Sequence, residues 1–181
     1  MRLGAIFAGG QARRFGSDKA LALVDGAPLL AHVAVRLAPQ VDHLVVVGRA
    51  WADLASVADR PEGRQGPLAA LAGALAYARA HGYADVLTSG CDLPDLPADL
   101  GRQLGDGPAV VDGQPLLGLW PASLGPALDA YLAQTERRAM RGWVDAAGAR
   151  AVTLDRPVSN INTPTELDAF LSGSAGPRSS R

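Results

Sequence analysis

The chain alternates short apolar runs with Gly- and Pro-punctuated polar stretches and amphipathic segments. Arg2–Ala8 is a nearly continuous apolar run that breaks at Gly9-Gly10, which predicts a short buried strand. Gly9 to Asp18 is too polar and too glycine-rich for a regular element and reads as a loop. Pro28 opens a helical pattern in which Leu29, Leu30, Val33 and Leu37 recur on one face. His43–Val47 predicts a second strand, ended by Gly48, and Asp53–Ala58 reads as a short helix. Asp59 to Gly66 is a loop, and Pro67 sits in the first turn of a long Ala/Leu helix that runs to about Ala80 and stops at Gly82. Asp85–Ser89 predicts a third strand, followed by a short helix over Asp99–Leu104. Ala109–Val111 and Leu116–Trp120 read as strands around the turn signal Asp112-Gly113. Helices are expected over Pro121–Gln134 and Glu136–Ala147, a last strand over Arg150–Leu154, and a last helix opened by Thr163-Pro164 and ending near Leu171.

This order predicts an α/β fold: three layers, doubly wound on a mainly parallel, Rossmann-like sheet. Residues 1–171 form one expected domain, and the Ser/Gly/Pro-rich stretch 172–181 reads as a flexible tail. In such sheets ligands bind off the carboxyl ends of the strands, near the reversal of strand order. Three motifs each follow a predicted strand, so they are expected to gather at that edge.

Composition narrows the functional classes. The 181 residues are 48% hydrophobic and 19% charged, which is globular, and with aromatics at 5% the core must be built from Ala, Leu and Val. A net charge of −1 excludes a strongly basic nucleic-acid footprint. The single cysteine, Cys91, excludes a disulfide framework or a Cys-based zinc cage. No apolar run is long enough to span a membrane, and the N-terminal run breaks too early for a secretory signal, so a cytoplasmic protein is expected. Of 17 basic residues only Lys19 is lysine, and the only asparagines are Asn160 and Asn162.

The first motif runs from Phe7 and Ala8 through Gly9-Gly10 to Arg13-Arg14 and Lys19. It lacks the Gly-Lys-Ser/Thr of a P-loop and the Gly-x-Gly-x-x-Gly of a dinucleotide fingerprint. Its glycines can still aim backbone N–H groups at an anion, with Arg13, Arg14 and Lys19 as the charge; the plain reading is a tight turn with solvated arginines. The second is Cys91-Asp92-Leu93-Pro94. A carboxylate at a strand's carboxyl end suits magnesium, which takes one or two carboxylates and fills its other positions with water and phosphate oxygens. The competing role for Asp92 is a turn cap. Cys91 reads as a small buried hydrophobe, and Asp95 and Asp99 as local caps. The third is Asn160-Ile161-Asn162-Thr163-Pro164-Thr165-Glu166-Leu167, where Thr163 and Glu166 form a capping box. Asn162 suits a ligand or metal-water contact and Asn160 a structural one. Gly66-Pro67 offers a helix N-terminus to an anion or a base edge, and Asp59 an acceptor for base or ribose. Arg138 and Arg141, three residues apart, can clamp a second phosphate, although charge runs are usually solvated. His32, His43 and His81 show no metal spacing.

Together these motifs resemble the molybdenum cofactor guanylyltransferase (MobA) family. The family's opening Leu-Ala-Gly-Gly…Asp-Lys reads Phe7 to Lys19 here, its Gly-Pro-Leu-Ala-Gly-Leu reads Gly66 to Leu71, its Cys-Asp-x-Pro reads Cys91 to Pro94, and its Asn-x-Asn-Thr-Pro-x-Glu-Leu reads Asn160 to Leu167. The match runs in order from residue 3 to about 171, and the closing motif narrows it most. The resemblance implies transfer of GMP from GTP to the phosphate of molybdenum-bearing molybdopterin, with release of pyrophosphate and Mg²⁺ as cofactor. It implies GTP contacts from Phe7, Ala8, Gly9, Gly10, Lys19, Asp59, Gly66 and Pro67. Lys19, Arg14 and Asp92 would be catalytic, with Asp92 on both Mg²⁺ and nucleotide, and Arg138, Arg141, Asn160 and Asn162 would lie on the second-substrate side. Expected partners are the two small substrates, with molybdenum insertion proteins and target-enzyme chaperones, and neither nucleic acid nor membrane. Ala70 replaces a glycine of the family pattern, and Gly48 stands where some members have a polar residue. Cytidylyl transfer to molybdopterin, another nucleotidyl transfer to a phosphorylated small molecule, and a non-catalytic GTP-binding regulator remain as alternatives.

Overall fold

The computed structural model describes residues 1–9, 18–61, 66–135 and 139–173. Its strands are β1 (Arg2–Phe7), β2 (Leu23–Val24), β3 (Ala27–Pro28), β4 (His43–Val47), β5 (Ala55–Val57), β6 (Asp85–Gly90), β7 (Ala109–Val111), β8 (Gln114–Pro121) and β9 (Arg150–Val152). Its helices are α1 (Leu29–Leu37), α2 (Pro67–Ala80), α3 (Leu100–Leu104), α4 (Gly125–Gln134), α5 (Met140–Ala146) and α6 (Pro164–Leu171), and 3₁₀ turns span Lys19–Leu21, Ala38–Gln40 and Ala122–Leu124.

Among the described residues seven strands form one sheet in the order β5-β4-β1-β6-β8-β7-β9, and β2 pairs with β3 as a separate hairpin. β5, β4, β1 and β6 are mutually parallel, β8 is antiparallel to β6 and to β7, and β9 runs parallel to β7. Six of the strands therefore share a direction, as the expected mainly parallel sheet requires. The chain steps from β1 outward to β4 and β5, then returns to place β6 on the other side of β1. That reversal places a crevice at the carboxyl ends of β1 and β6, where the connections leave toward opposite sides.

Apolar side chains fill both faces of the sheet, as its near-continuous hydrophobic strands demand. Leu3, Ala5, Phe7, Val45 and Val47 face α2, α4 and α5, burying Leu71, Leu75, Leu128 and Trp143. Ile6, Ala8, Leu44 and Val46 face α1 and α3, burying Leu30, Val33, Leu37, Leu100 and Leu104. α2 is buried on most of its circumference, which is why its sequence is apolar all round. Its interior glycine, Gly73, is there because a Cβ would stand 2.2 Å from the carbonyl oxygen of Ala58. A third cluster of Val24, Leu29 and Ile161, with Leu167 and Phe170 against it, joins the β2–β3 hairpin to α6. Through it the last motif of the chain is carried to the first.

Several expectations are corrected. Asp53–Ala58 is not helical: Ala55–Val57 is an edge strand paired with β4, Val47 opposite Val57. The six-residue segment fits either period, and the free edge of β4 decides. β8 begins at Gln114 and continues to Pro121, whose register partner is Asp85, so α4 starts only at Gly125 rather than at Pro121. α5 starts at Met140, because Ala139 is extended at φ −78° and ψ 134°; Glu136 to Arg138 lie outside the described residues. β9 ends at Val152 rather than Leu154.

Candidate active site

Strand register alone aligns the site. Phe7 is level with Val47 of β4 and Gly90 of β6, and Val47 with Val57 of β5. Ala8 and Gly9, Gly48, Asp59, and Cys91 and Asp92 therefore leave the sheet at one edge. Backbone bonds hold them there: Ala8 donates to the Val47 carbonyl at 3.0 Å, Gly48 to Val57 at 2.9 Å and Cys91 to Phe7 at 3.2 Å.

At the centre is Lys19. Its Nζ donates to Asp92 Oδ2 at 2.7 Å and to Asn162 Oδ1 at 2.7 Å. Side-chain exposure is only 14% for Lys19 and 15% for Asp92, so the pair is well shielded and tighter than a surface ion pair. Asn162 is oriented in turn: its Nδ2 donates to Asn160 Oδ1 at 2.9 Å, and its backbone N–H donates to Glu166 Oε2 at 2.7 Å. That carboxylate also accepts the Thr163 N–H at 3.1 Å, and the Thr163 hydroxyl accepts the Glu166 N–H at 3.2 Å, completing the capping box of α6. The Ile161 N–H donates to the Asp92 carbonyl at 3.1 Å. The capping box thus fixes a helix start and holds Asn162 against Lys19.

One wall is made of backbone. Gly48 has φ +89°, and a Cβ on it would stand 2.6 Å from Gly9 Cα and 2.9 Å from Gly9 N. Both features demand glycine. Gly48→Ala is therefore expected to destabilise the fold by about 1–3 kcal/mol from the left-handed backbone alone, with the Gly9 contact adding to it. Chemical denaturation measures this, and a wild-type midpoint would show that the wall yields freely.

Asp59 lies beside this wall, its carboxylate oxygens about van der Waals distance from the positions those two Cβ atoms would take, at 3.7 Å. Among the described residues its Oδ1 is buried without a hydrogen-bond partner, and burial pushes its carboxyl above the ordinary carboxylate range. An unpaired buried acceptor is costly, so this atom suits a donor brought by a ligand. Gly66, at φ +126°, leads Pro67 into α2, and the Arg60 N–H donates to the Ala69 carbonyl at 2.9 Å, tying the segment after Asp59 to that helix start. Ala70 is 6% exposed, packed into the core on the first turns of α2.

Cys91 is half-buried rather than fully buried as its sequence context suggests. Burial, reinforced by the Asp92 charge and only partly opposed by Lys19 and Arg49, pushes its thiol up to about 12. The thiol accordingly stays protonated at neutral pH. Native protein at pH 8 should react slowly with iodoacetamide and denatured protein quickly; fast native alkylation would contradict this environment.

Asp95 accepts the Ser159 N–H at 2.9 and 3.1 Å, bracing the segment before Asn160, and Asp99 accepts from Arg102 and Gln103 at the start of α3. His32 and His81 bond the backbone carbonyls of Val24 and Tyr77. Among the described residues no group of three or more His, Cys, Asp or Glu side chains converges on a metal position. Asp92 Oδ2 and Asn162 Oδ1 nevertheless converge on one cationic nitrogen. Paired oxygen acceptors are the donor type a hard divalent cation takes, with phosphate oxygens and water completing its shell, so the residues present fit Mg²⁺.

The structure thus brings Phe7, Ala8, Gly9, Lys19, Asp59, Gly66, Pro67, Asp92, Asn160 and Asn162 to one edge. Gly10, Arg13, Arg14 and Arg138 lie outside the described residues. Arg141 is exposed on α5, whose buried residues Met140 and Trp143 pack on the sheet face opposite α1 and α3. One neighbour escapes the sequence reading. Arg49, directly after Gly48, pairs with Asp18 next to Lys19. The only local hint is an arginine placed where a strand ends on glycine.

A mainly parallel sheet with a cation, a carboxylate and a glycine wall at its switch point has the build of a Rossmann-like ligand site. Residues 4–151 match the MobA-like NTP transferase domain. The chain is 36% identical to a molybdenum cofactor guanylyltransferase of Rhizobium leguminosarum bv. trifolii (91% of this chain, 88% of the relative). It is 37% identical to one of Cereibacter sphaeroides (92% and 94%). The fold is shared with molybdopterin-guanine dinucleotide biosynthesis protein A of Archaeoglobus fulgidus at TM-score 0.75 and 19% identity (95% and 97%). It is also shared with a CMP:2-keto-3-deoxy-manno-octonic acid synthetase at TM-score 0.69 and 13% identity (94% and 97%). The chain belongs to the MobA-like NTP transferase family.

Proposed function

We propose that this protein transfers GMP from GTP to the phosphate of molybdopterin, forming the guanine dinucleotide cofactor. The observation that carries the reading is the Lys19–Asp92–Asn162 cluster at the switch point, in a chain whose relatives of 36–37% identity bear the guanylyltransferase name.

A phosphate oxygen of molybdopterin attacks the α-phosphorus of GTP. A new P–O–P linkage forms, the bond from the α-phosphorus to the bridging oxygen breaks, and pyrophosphate leaves with that electron pair. Two anions must meet, so alignment and charge neutralisation dominate the barrier. Lys19 supplies a fixed positive charge for the phosphates, and the turn it starts holds it at the crevice. The Gly9–Gly48 contact lets the loops after β1 and β4 pack backbone against backbone beside Asp59, which shapes the wall of the crevice. Asp59 offers its unpaired oxygen to donors of the base or ribose. Asp92, with Asn162 beside it, would hold Mg²⁺, which supplies Lewis-acid stabilisation of phosphate charge when bound. Phosphate nucleophiles are ionised at neutral pH, so the protein needs no strong general base and no covalent intermediate. The protonated Cys91 thiol is in keeping with that.

Isothermal titration of GTP, CTP and ATP with Mg²⁺ tests the reading. GTP is expected to bind in preference to the others. Preference for CTP would move the chain to cytidylyl transfer, and no binding would overturn the nucleotide site.

A further inference from the structure

Lys19 is held from both sides, and only one side consists of candidate catalytic groups. On the other, Asp18 is the N-cap of the turn Lys19–Leu21, its Oδ1 accepting the Ala20 N–H at 3.2 Å. Arg49 grips the same carboxylate with both ends of its fork, Nη1 donating to Oδ1 at 2.8 Å and Nη2 to Oδ2. Arg49 is itself anchored. Its carbonyl accepts the Ser56 hydroxyl at 3.0 Å, and the Gly48 N–H before it donates to Val57 at 2.9 Å, so its backbone is tied to the edge strand β5. A continuous strut therefore runs from the sheet through Arg49 and Asp18 to the residue that carries the ammonium. The Arg49 hydrogen bond also holds the Asp18 carboxyl below the ordinary carboxylate range, so the pair is fully charged at neutral pH.

We propose that Arg49 is a positioning residue of the transfer reaction: its two-pronged pair with Asp18 fixes the turn that places Lys19 at the phosphates. The inference rests on Lys19 being the phosphate-binding cation. The bridge spans 31 positions in sequence and joins two loops that leave neighbouring strands, β1 and β4. Stability alone does not explain it, since side-chain exposures of 25% and 40% make it a pair of small thermodynamic weight. Its weight lies in geometry, because a displacement of about 1 Å at a reacting group can cost on the order of 100-fold in rate.

The test compares Arg49→Ala, Arg49→Lys and Asp18→Asn with wild type, and repeats Arg49→Ala in Lys19→Ala and in Asp18→Asn backgrounds. The readouts are kcat, KM for GTP and the thermal midpoint. Asparagine keeps the cap but loses the charge pair. Arg49→Ala is expected to lower kcat by about tenfold or more with KM for GTP changed less than about threefold and the midpoint nearly unmoved. Arg49→Lys should recover only part of the loss, because an ammonium cannot reproduce the fork. In both variant backgrounds Arg49→Ala should add less than about twofold, as members of one unit do. Wild-type turnover by Arg49→Ala would overturn the strut. So would a full further loss in the Lys19→Ala background, which would place Arg49 on the substrate itself or on the fold. Wild-type turnover by Lys19→Ala would instead overturn the phosphate reading beneath it, an outcome distinct from an inactive Lys19→Ala beside an unaffected Arg49→Ala.

Discussion

Replacing Lys19 with alanine is expected to lower GMP transfer by about 10²–10³-fold, or about 3–4 kcal/mol of transition-state stabilisation. The size follows from what the ammonium does. It is a fixed charge at a shielded position, 14% exposed, and water entering in its place would be neither charged nor preorganised. The sequence sharpens the expectation, because Lys19 is the only lysine in the chain, so no neighbouring ammonium can stand in for it. Arginine is not expected to restore the rate, since its planar fork cannot occupy the point between Asp92 Oδ2 and Asn162 Oδ1. Steady-state rates with saturating GTP and Mg²⁺ give the number, and a loss below about threefold would remove Lys19 from the chemistry.

Asp92→Asn should act differently. The substitution keeps the side chain's shape and leaves the backbone carbonyl to accept the Ile161 N–H, so the contact with the closing motif survives. What disappears is the negative charge. Magnesium draws on few protein carboxylates, and Asp92 is the one paired with Lys19 at this edge. The Mg²⁺ concentration for half-maximal activity should rise by about tenfold or more, and excess metal should recover part of the rate. Excess metal should not recover the Lys19→Ala variant, whose defect is a missing charge on the protein. An unchanged metal requirement would return Asp92 to a turn-capping role and leave Lys19 as its structural partner.

Much of the frame is legible in the residues because it depends on local pattern. Arg2–Phe7 and His43–Val47 read as short apolar strands, Asp85–Gly90 reads as one from Val86 and Leu87 although its buried Thr88 and Ser89 are polar, and the Gly66-Pro67 start of α2 follows from turn chemistry. Misreadings fall where a partner decides. Ala55–Val57 is a strand because β4 has a free edge, and Pro121 belongs to β8 because Asp85 lies opposite it. The site divides in the same way. Lys19, Asp92 and Gly9 follow predicted strands and so can be placed at one edge by fold class alone. Asn162 lies 143 positions from Lys19, and the cluster of Val24, Leu29 and Ile161 together with the Ile161–Asp92 backbone bond brings them into contact, so the sequence places its motif at the edge but not against Lys19. Arg49 had no such pointer, because its meaning lies wholly in the distant Asp18.

The most direct test of the central claim is to incubate the protein with GTP labelled at the α-phosphate, Mg²⁺ and molybdenum-bearing molybdopterin, and to follow the label. The account predicts that it moves onto the pterin, with the mass of one GMP joined through the terminal phosphate and one pyrophosphate released per product. It also predicts that the label stays in GTP when Lys19→Ala replaces the wild type. Transfer that persists in that variant would contradict the assignment of Lys19, and label that remains in GTP with the wild type would contradict the function.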